Sequence, residues 1–484
     1  MERLNGLDAS FLAMETPTMR LHVCAVMVFE PQSPTADESV LPFERVRQIV
    51  VERLHLVPPL RRRAVRVPFG LHHPVWVEDP DFDLDYHLRR SSVPSPGGPN
   101  ELSAFVGEVA GRPLDLDRPL WEMHVVEGLE SGHFAIVTKL HHATIDGASG
   151  AEVLATFFDL GPEPRVVPPS DHPWQPDQLP NERDLVTGAL SSLTRQPERA
   201  ASALRRTVGA VRGLSERNRR LREEEGIDPP PAPFSAPRTS LNGAISAHRR
   251  FAFLQAPLDD VQTVRNAFTS TVNDVVLACV AGALRRLLME RGEVLDDPLV
   301  AMVPMSTRSP ADAGVLGNKV HAMLVSLATT VADPVERLRT ISSGATLAKE
   351  QSRVLSEDLL REWAQLAVPA LSSRVARLAG NLRLFDHVPP LFNVLVSNIP
   401  GPEVPLWCAG ARLVALYPVG PLADGVGLNI TVISYSGTLY VGVLGCRSLV
   451  PEVDHLAHHI ADALGELVKV AVRTARAPGP EVSS

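Results

Sequence analysis

The residues best able to do chemistry in this chain sit in one short run: His141, His142, Ala143, Thr144, Ile145, Asp146 and Gly147. Two adjacent histidines are followed, after three positions, by Asp-Gly. Imidazole is the side chain whose ordinary pKa lets it take a proton near neutral pH and give it back. The run follows an apolar, β-rich stretch, His133 to Leu140, and precedes a Gly-flanked helix start, Ala148 to Leu154. The pair therefore belongs at the end of a strand, on the turn into a helix. A side chain there is held rigidly and still reaches a cavity. The spacing argues against a metal, because neighbours in a strand point to opposite faces. No cysteine is near, and no HExxH or CxxC pattern occurs anywhere in the chain. General-base chemistry with no metal is the expectation. A second pair, His72-His73 between Gly70 and Pro74, reads as a loop feature.

The elements that must position this run come in two sets. A chain of 484 residues is long enough for two domains with separate cores. In the first, residues 20–30, 76–79, 121–126 and 133–140 read as strands, and 41–56, 101–111 and 150–159 as helices. Seven prolines between 162 and 180 then forbid regular structure. From 183 to 225 the pattern is helical and rich in arginine, with nine arginines from Arg195 to Arg222 against Glu198 and Glu216. In the second set, a strand restarts at 249–254 and a strong helix runs from Val275 to Arg291, with Asn273 or Asp274 placed as its cap. Strands follow near 298–304, 320–328, 393–397, 412–417, 426–435 and 438–445, then a final amphipathic helix from Pro451 to Val472. The mixture predicts α/β layers. The expected boundaries are 1–161 for the N-terminal domain, 162–245 for a Pro- and Arg-rich helical linker, and 246–484 for the C-terminal domain.

Composition narrows the function classes. The apolar fraction is 44% and the charged fraction 21%, ordinary for a globular chain. A net charge of −9 argues against a nucleic-acid binder. Of 47 basic residues only Lys139, Lys319, Lys349 and Lys469 are lysine, a bias that fits a GC-rich genome. The four cysteines are scattered, as in a reducing compartment. No basic stretch followed by an apolar one opens the chain, and no run of 18 apolar residues occurs, so neither a signal peptide nor a membrane span is expected.

Further blocks surround the histidines. Leu7-Asp8-Ala9-Ser10-Phe11-Leu12 opens the chain and Arg118-Pro119-Leu120-Trp121-Glu122 precedes the motif. Asn273-Asp274-Val275-Val276-Leu277, Pro304-Met305-Ser306-Thr307-Arg308 and Gly317-Asn318 follow it. Asn393 to Pro402 and Gly427 to Tyr435 complete the order. In this order, nearly end to end, the chain resembles the bacterial wax ester synthase/diacylglycerol acyltransferase family. The histidine motif alone is shared with peptide-synthetase condensation domains and polyketide-associated acyltransferases, so it marks only the superfamily. The flanking set is the more specific signal.

The resemblance implies two chloramphenicol-acetyltransferase-like α/β domains, each a mixed sheet with helices, and a tunnel at their interface. It also implies that a C-terminal segment crosses onto the N-terminal sheet. Acyl-CoA is the implied donor, as substrate and not as bound cofactor. Diacylglycerol or a long-chain alcohol is the implied acceptor. His142 would be the general base, His141 supporting, and Asp146 would hold the loop through an arginine, with Arg61 the first choice. Gly147 would allow a positive φ or close backbone approach. Asn273 reads equally as a helix cap and as a residue near the tunnel. Ser397, Asn398 and Thr431 are candidates for lining it, and Trp121 reads as core. No GxSxG elbow occurs, in keeping with direct transfer. Peripheral association with the inner membrane face or lipid droplets, from the cytoplasm, is expected, because acceptor and product are water-insoluble. Transfer to a polyketide-type or carrier-bound acceptor, or a non-catalytic lipid-binding role, are the competing readings.

Overall fold

A computed structural model describes residues 2–31, 42–144, 155–170, 174–193, 215–224, 228–306, 320–354 and 389–476, with Val153, Gly209 and Gly213. The N-terminal half runs β1 (Glu2–Arg3), α1 (Gly6–Met14), β2 (His22–Pro31), α2 (Pro42–Arg53), β3 (Arg62–Val65), β4 (Val75–Glu78), α3 (Leu84–His87), β5 (Leu88–Ser92), α4 (Pro99–Gly111), β6 (Trp121–Glu127) and β7 (Phe134–His141). After it comes α5 (Glu182–Leu193). The C-terminal half runs β8 (Arg249–Pro257), α6 (Leu258–Phe268), α7 (Val272–Glu290), β9 (Val300–Ser306), β10 (Val320–Ser326) and α8 (Pro334–Val354). It ends with β11 (Val394–Ile399), β12 (Trp407–Cys408), β13 (Ala411–Val419), β14 (Leu428–Tyr435), β15 (Thr438–Cys446) and α9 (Val453–Arg476).

Two six-stranded mixed sheets organise these elements. One has the order β12-β13-β2-β7-β6-β5, the other β10-β9-β11-β14-β15-β8. The pairs β5–β6, β9–β11 and β11–β14 are parallel, and the other pairs in these two sheets are antiparallel. Each sheet has its own core. Phe29, Met27, Ile136 and Trp121 belong to the first, and Leu277, Leu284, Val432 and Val441 to the second. Helix α7 is buried at every position from Asp274 to Leu284, which is why its sequence is apolar on all sides and shows no polar stripe.

The sheets are tied by a crossover of the kind the family resemblance implies. Strand β13, late in the chain, pairs antiparallel with β2 in the first sheet, Tyr417 opposite Val26. Where β13 passes β15 the backbones nearly touch: a Cβ on Gly442 would lie 1.8 Å from the Pro418 carbonyl oxygen. Phe253, Tyr417 and Tyr440 pack beside this contact, with ring centroids 4.2 and 5.3 Å apart.

Helices α1, α6 and α8 are not anticipated by the sequence pattern. The cap of α7 also differs from expectation. Thr271, not Asn273 or Asp274, is the N-cap; its hydroxyl accepts from the Asp274 amide at 3.2 Å, and Asp274 accepts from the Thr271 amide at 2.9 Å. This reciprocal box satisfies two amides that a helix start leaves orphaned. Of the expected helix at 150–159, Val153 and residues 155–159 are described; Val153 and 155–157 are helical, but the helix ends there, because Asp159 instead bridges to Trp407. The Arg-rich segment is described as helix from 215 to 223, while Arg195, Arg199, Arg205, Arg206 and Arg212 lie outside the described residues.

Candidate active site

Strand β7 lies between β2 and β6 and all eight of its side chains are buried. His141 occupies its last rung, opposite His22. There the chain turns. The His142 amide donates to the Leu21 carbonyl at 2.8 Å, and the Thr144 amide to the His141 carbonyl at 2.9 Å. The Ala143 amide donates to Nδ1 of His141 at 3.0 Å. His141 is fully buried and His142 only half-buried. The ring of His142 stacks on Phe11 of α1, centroids 4.4 Å apart and planes at 28°. One histidine is thus locked into the protein and the other stands at its edge. Thr144 borders a cavity of about 140 Å³ whose lining includes Asn5, Asp8, Arg62 and Trp76.

Behind the pair lies a buried charge cluster. Nε2 of His141 is 3.3 Å from one carboxylate oxygen of Glu15, and Nε2 of His22 is 3.3 Å from the other. Burial alone would push the Glu15 carboxyl up, but the contacts with His141 and His22 outweigh it and hold it at about 2. Burial pulls the His22 imidazole down to about 4, against the opposing pull of Glu15. A Glu15 carboxylate facing a neutral His22 ring follows. The donor atoms of Glu15, His22 and His141 all lie within 4.8 Å of one another, a spacing a metal ion could bridge. The chemistry of His141 is against that use. A backbone amide can only donate, so Nδ1 carries a lone pair and the ring proton of the neutral form sits on Nε2. A metal ligand needs its lone pair at Nε2.

Two residues back along β7, Lys139 is fully buried. Its Nζ is 3.0 Å from Glu122 and donates to the Val109 and Arg112 carbonyls at 3.3 Å. Burial would raise the Glu122 carboxyl; His124 and Lys139 hold it instead at about 2. With every charge paired, this group braces β6 and β7 and has no open side for a substrate.

The other expected residues separate into three groups. Asp146, Gly147, Thr307, Arg308, Gly317 and Asn318 lie outside the described residues. Arg61 faces Glu78 at 3.9 Å and lies 5.7 Å over the Trp174 ring. Trp121 is core, as read from the sequence: it is 2% exposed, donates to the Leu60 carbonyl at 2.7 Å and stacks on His87. His72-His73 lies in a loop. In the second sheet, Ser397 pairs across strands with Thr431. The Thr431 hydroxyl donates to Asn429 at 2.8 Å and the residue is buried. Asn273, Ser397 and Asn398 are half-buried and their side chains form no hydrogen bond among the described residues.

Sequence reasoning missed Glu15, His22 and Phe11. Phe11 lay inside a block singled out only for its resemblance. Glu15 and His22 carried one signal, an acid and a histidine flanking the turn between α1 and β2, and nothing in the spacing tied them to His141.

Comparison with known proteins returns a consistent set. The family model of the wax ester synthase/diacylglycerol acyltransferase catalytic domain matches residues 4–276, and that of the WS/DGAT C-terminal domain matches residues 316–468. A Mycobacterium tuberculosis protein named as a putative diacylglycerol O-acyltransferase is 37% identical over 475 residues, covering 97% of this chain and 90% of its own. The solved wax ester synthase/diacylglycerol acyltransferase from Marinobacter aquaeolei VT8 superposes with a TM-score of 0.67 at 30% identity, covering 98% of this chain and all of that one. The starter condensation domain of rhizomide synthetase, solved with C8-CoA and Leu-SNAC, shares the fold at a TM-score of 0.55 and 15% identity, covering 97% of this chain and 94% of its own.

Proposed function

The chain belongs to the wax ester synthase/diacylglycerol acyltransferase family, and from that premise we propose that His142 is the general base of its acyl transfer. The enzyme is an acyl-CoA-dependent O-acyltransferase whose product is triacylglycerol or wax ester. The observation that carries the His142 assignment is the contrast within the pair: His141 is sealed in the sheet and His142 stands half-buried at its end.

Transfer from a thioester to an alcohol runs downhill. The catalyst must make a neutral hydroxyl nucleophilic and stabilise the tetrahedral oxyanion. His142 takes the hydroxyl proton as the oxygen attacks the thioester carbonyl. When the intermediate collapses, the carbon–sulfur bond breaks and the imidazolium returns the proton to the departing CoA thiolate. Phe11, stacked on the ring, holds its plane through both steps. Asn273, Ser397 and Asn398, with uncommitted polar ends, are proposed to face substrate. For Asp146 and Gly147, outside the described residues, the loop-holding role is proposed from the family motif alone. The acceptor is diacylglycerol, a long-chain alcohol or both, and the enzyme works from the cytoplasm at a membrane or lipid-droplet surface.

The test is product formation from palmitoyl-CoA with dioleoylglycerol or hexadecanol, each measured for the wild type and for His142→Ala. A loss of about 10²–10⁴-fold in kcat with folding intact is expected for a missing general base. Retention of most activity by the alanine variant removes the mechanism.

A further inference from the structure

We infer that Glu15 is a positioning residue for the histidine pair: its carboxylate fixes the tautomer and ring orientation of His141 and, through the turn that follows, the placement of His142. The inference rests on the reading of His142 as base.

Four observations carry it. The Ala143 amide occupies Nδ1 of His141 and leaves the ring proton on Nε2, which faces Glu15 at 3.3 Å. The same amide begins the turn that presents His142, so ring and turn are one unit. Second, Glu15 is the C-cap of α1, and Phe11, four residues earlier in that helix, stacks on His142. One helix therefore touches both rings, and a shift of α1 would move them together. Third, α1 is anchored at both ends. Asn5 accepts from the Asp8 amide at 2.9 Å, and after the helix Thr16 accepts from the Met19 amide at 2.9 Å. Fourth, both oxygens of Glu15 are buried with no closer protein partner among the described residues than the two rings. At 3.3 Å these contacts are at the long end for hydrogen bonds, but in a dry site an acceptor oxygen placed against each ring decides which ring nitrogen keeps its proton and how the ring lies. Arg20, 3.8 Å away, is the cation on the same carboxylate.

Removing the carboxylate leaves two buried ring N–H groups without an acceptor and frees the His141 ring to rotate. The Ala143 contact then weakens and His142 drifts. A displacement of about 1 Å at a reacting group costs on the order of 10²-fold in rate. Glutamine can replace glutamate here. Its carbonyl accepts from His141, and its amide donates to His22, whose Nδ1 has no partner among the described residues and can take the ring proton. Aspartate keeps the charge but withdraws it beyond reach.

The experiment uses the full chain with palmitoyl-CoA and dioleoylglycerol, comparing wild type, Glu15→Ala, Glu15→Asp and Glu15→Gln, with His142→Ala in parallel. The expected result is a kcat lowered about 10- to 100-fold in the Ala and Asp variants, KM for palmitoyl-CoA within about twofold, and recovery of most of the rate by Gln. Ring ¹⁵N spectra should show the Nε2–H form of His141 in wild type and Gln and its loss in Ala. A folded Ala or Asp variant with wild-type kcat overturns the inference; if Ala does not accumulate folded, Asp decides. One equivalent of zinc retained after dialysis by the wild type and lost from Glu15→Ala overturns it in favour of a metal centre. An active His142→Ala instead brings down the base assignment, so the two failures are distinct.

Discussion

At the scale of single residues, the buried groups behind the histidine pair give stability a defined pH dependence. His22 is held at about 4 in the folded protein and returns to about 6.5 when the chain unfolds. Between those values the unfolded chain binds more protons, so stability falls as pH drops from 6.5 to 4. Glu15, held at about 2, adds a second loss as pH falls from about 4.5 to 2. A tenfold change in proton affinity is worth about 1.4 kcal/mol, so His22 alone accounts for up to about 3 kcal/mol in the upper window. Urea midpoints measured from pH 7 to pH 4.5 should fall steadily, and His22→Asn should flatten the slope. An unchanged slope in that variant would mean the ring does not sit neutral and buried. Lys139 makes a sharper case. Lys139→Met takes the closest cation from the Glu122 carboxylate, leaving it the longer Arg89 contact at 3.5 Å, and should cost about 3 kcal/mol, whereas Lys139→Met with Glu122→Leu removes both charges and should recover most of the loss. His141 and His142 were legible in the sequence because their spacing to Asp146 is local. Glu15 and His22 were not, since the contact depends on which rung of β2 faces His141, and no local pattern records register.

At the scale of elements, strands were easier to read than helices. The strands β7, β14 and β15 are almost wholly buried, so their apolar, β-branched runs stand out. Helix α1 is nine residues of nearly unbroken apolar and small side chains, with no 3.6-residue rhythm to detect. The cap of α7 was misplaced because Asn273 and Asp274 are both capping types, and only the reciprocal bonds distinguish Thr271. Thr271→Ala should therefore cost about 1 kcal/mol, while Asn273→Ala should leave stability unchanged and lower activity if the residue faces substrate. The crossover gives a steric prediction. A methyl group on Gly442 would enter the Pro418 carbonyl, so Gly442→Ala must part β13 from β15 and should destabilise by about 1–3 kcal/mol. Gly344, in α8, is the control, because a Cβ there would meet nothing within 4 Å. Its alanine variant should gain about 0.5–1 kcal/mol from reduced backbone freedom. Denaturant titration of both checks the pair, and equal effects would mean that the two strands separate freely.

At the scale of the whole molecule, a soluble donor must meet a water-insoluble acceptor, and no helix among the described residues is by itself long and apolar enough to cross a membrane. Peripheral contact with a lipid phase is the proposal to test. The chain carries a net charge of −9, yet the segment from Arg195 to Arg222 holds nine arginines against two glutamates. Its described end already has partners: Arg217 pairs with Glu350 of α8 at 2.8 Å, and Leu221 is buried. That end braces the C-terminal half, so the docking role we propose is one for the remaining arginines. Basic residues beside an anionic leaflet contribute about 1 kcal/mol each, falling off over a Debye length. Replacing Arg205, Arg206, Arg212, Arg219 and Arg220 by Gln, and leaving Arg217 in place, separates docking from bracing. Flotation with phosphatidylcholine vesicles containing phosphatidylglycerol should retain the wild type at low salt and release it as salt rises. The five-Gln variant should float markedly less while keeping its urea midpoint and its activity on detergent-dispersed acceptor. Equal flotation of the two proteins, or flotation indifferent to anionic lipid and salt, would assign the whole segment to the brace and leave the lipid contact to be made elsewhere on the surface.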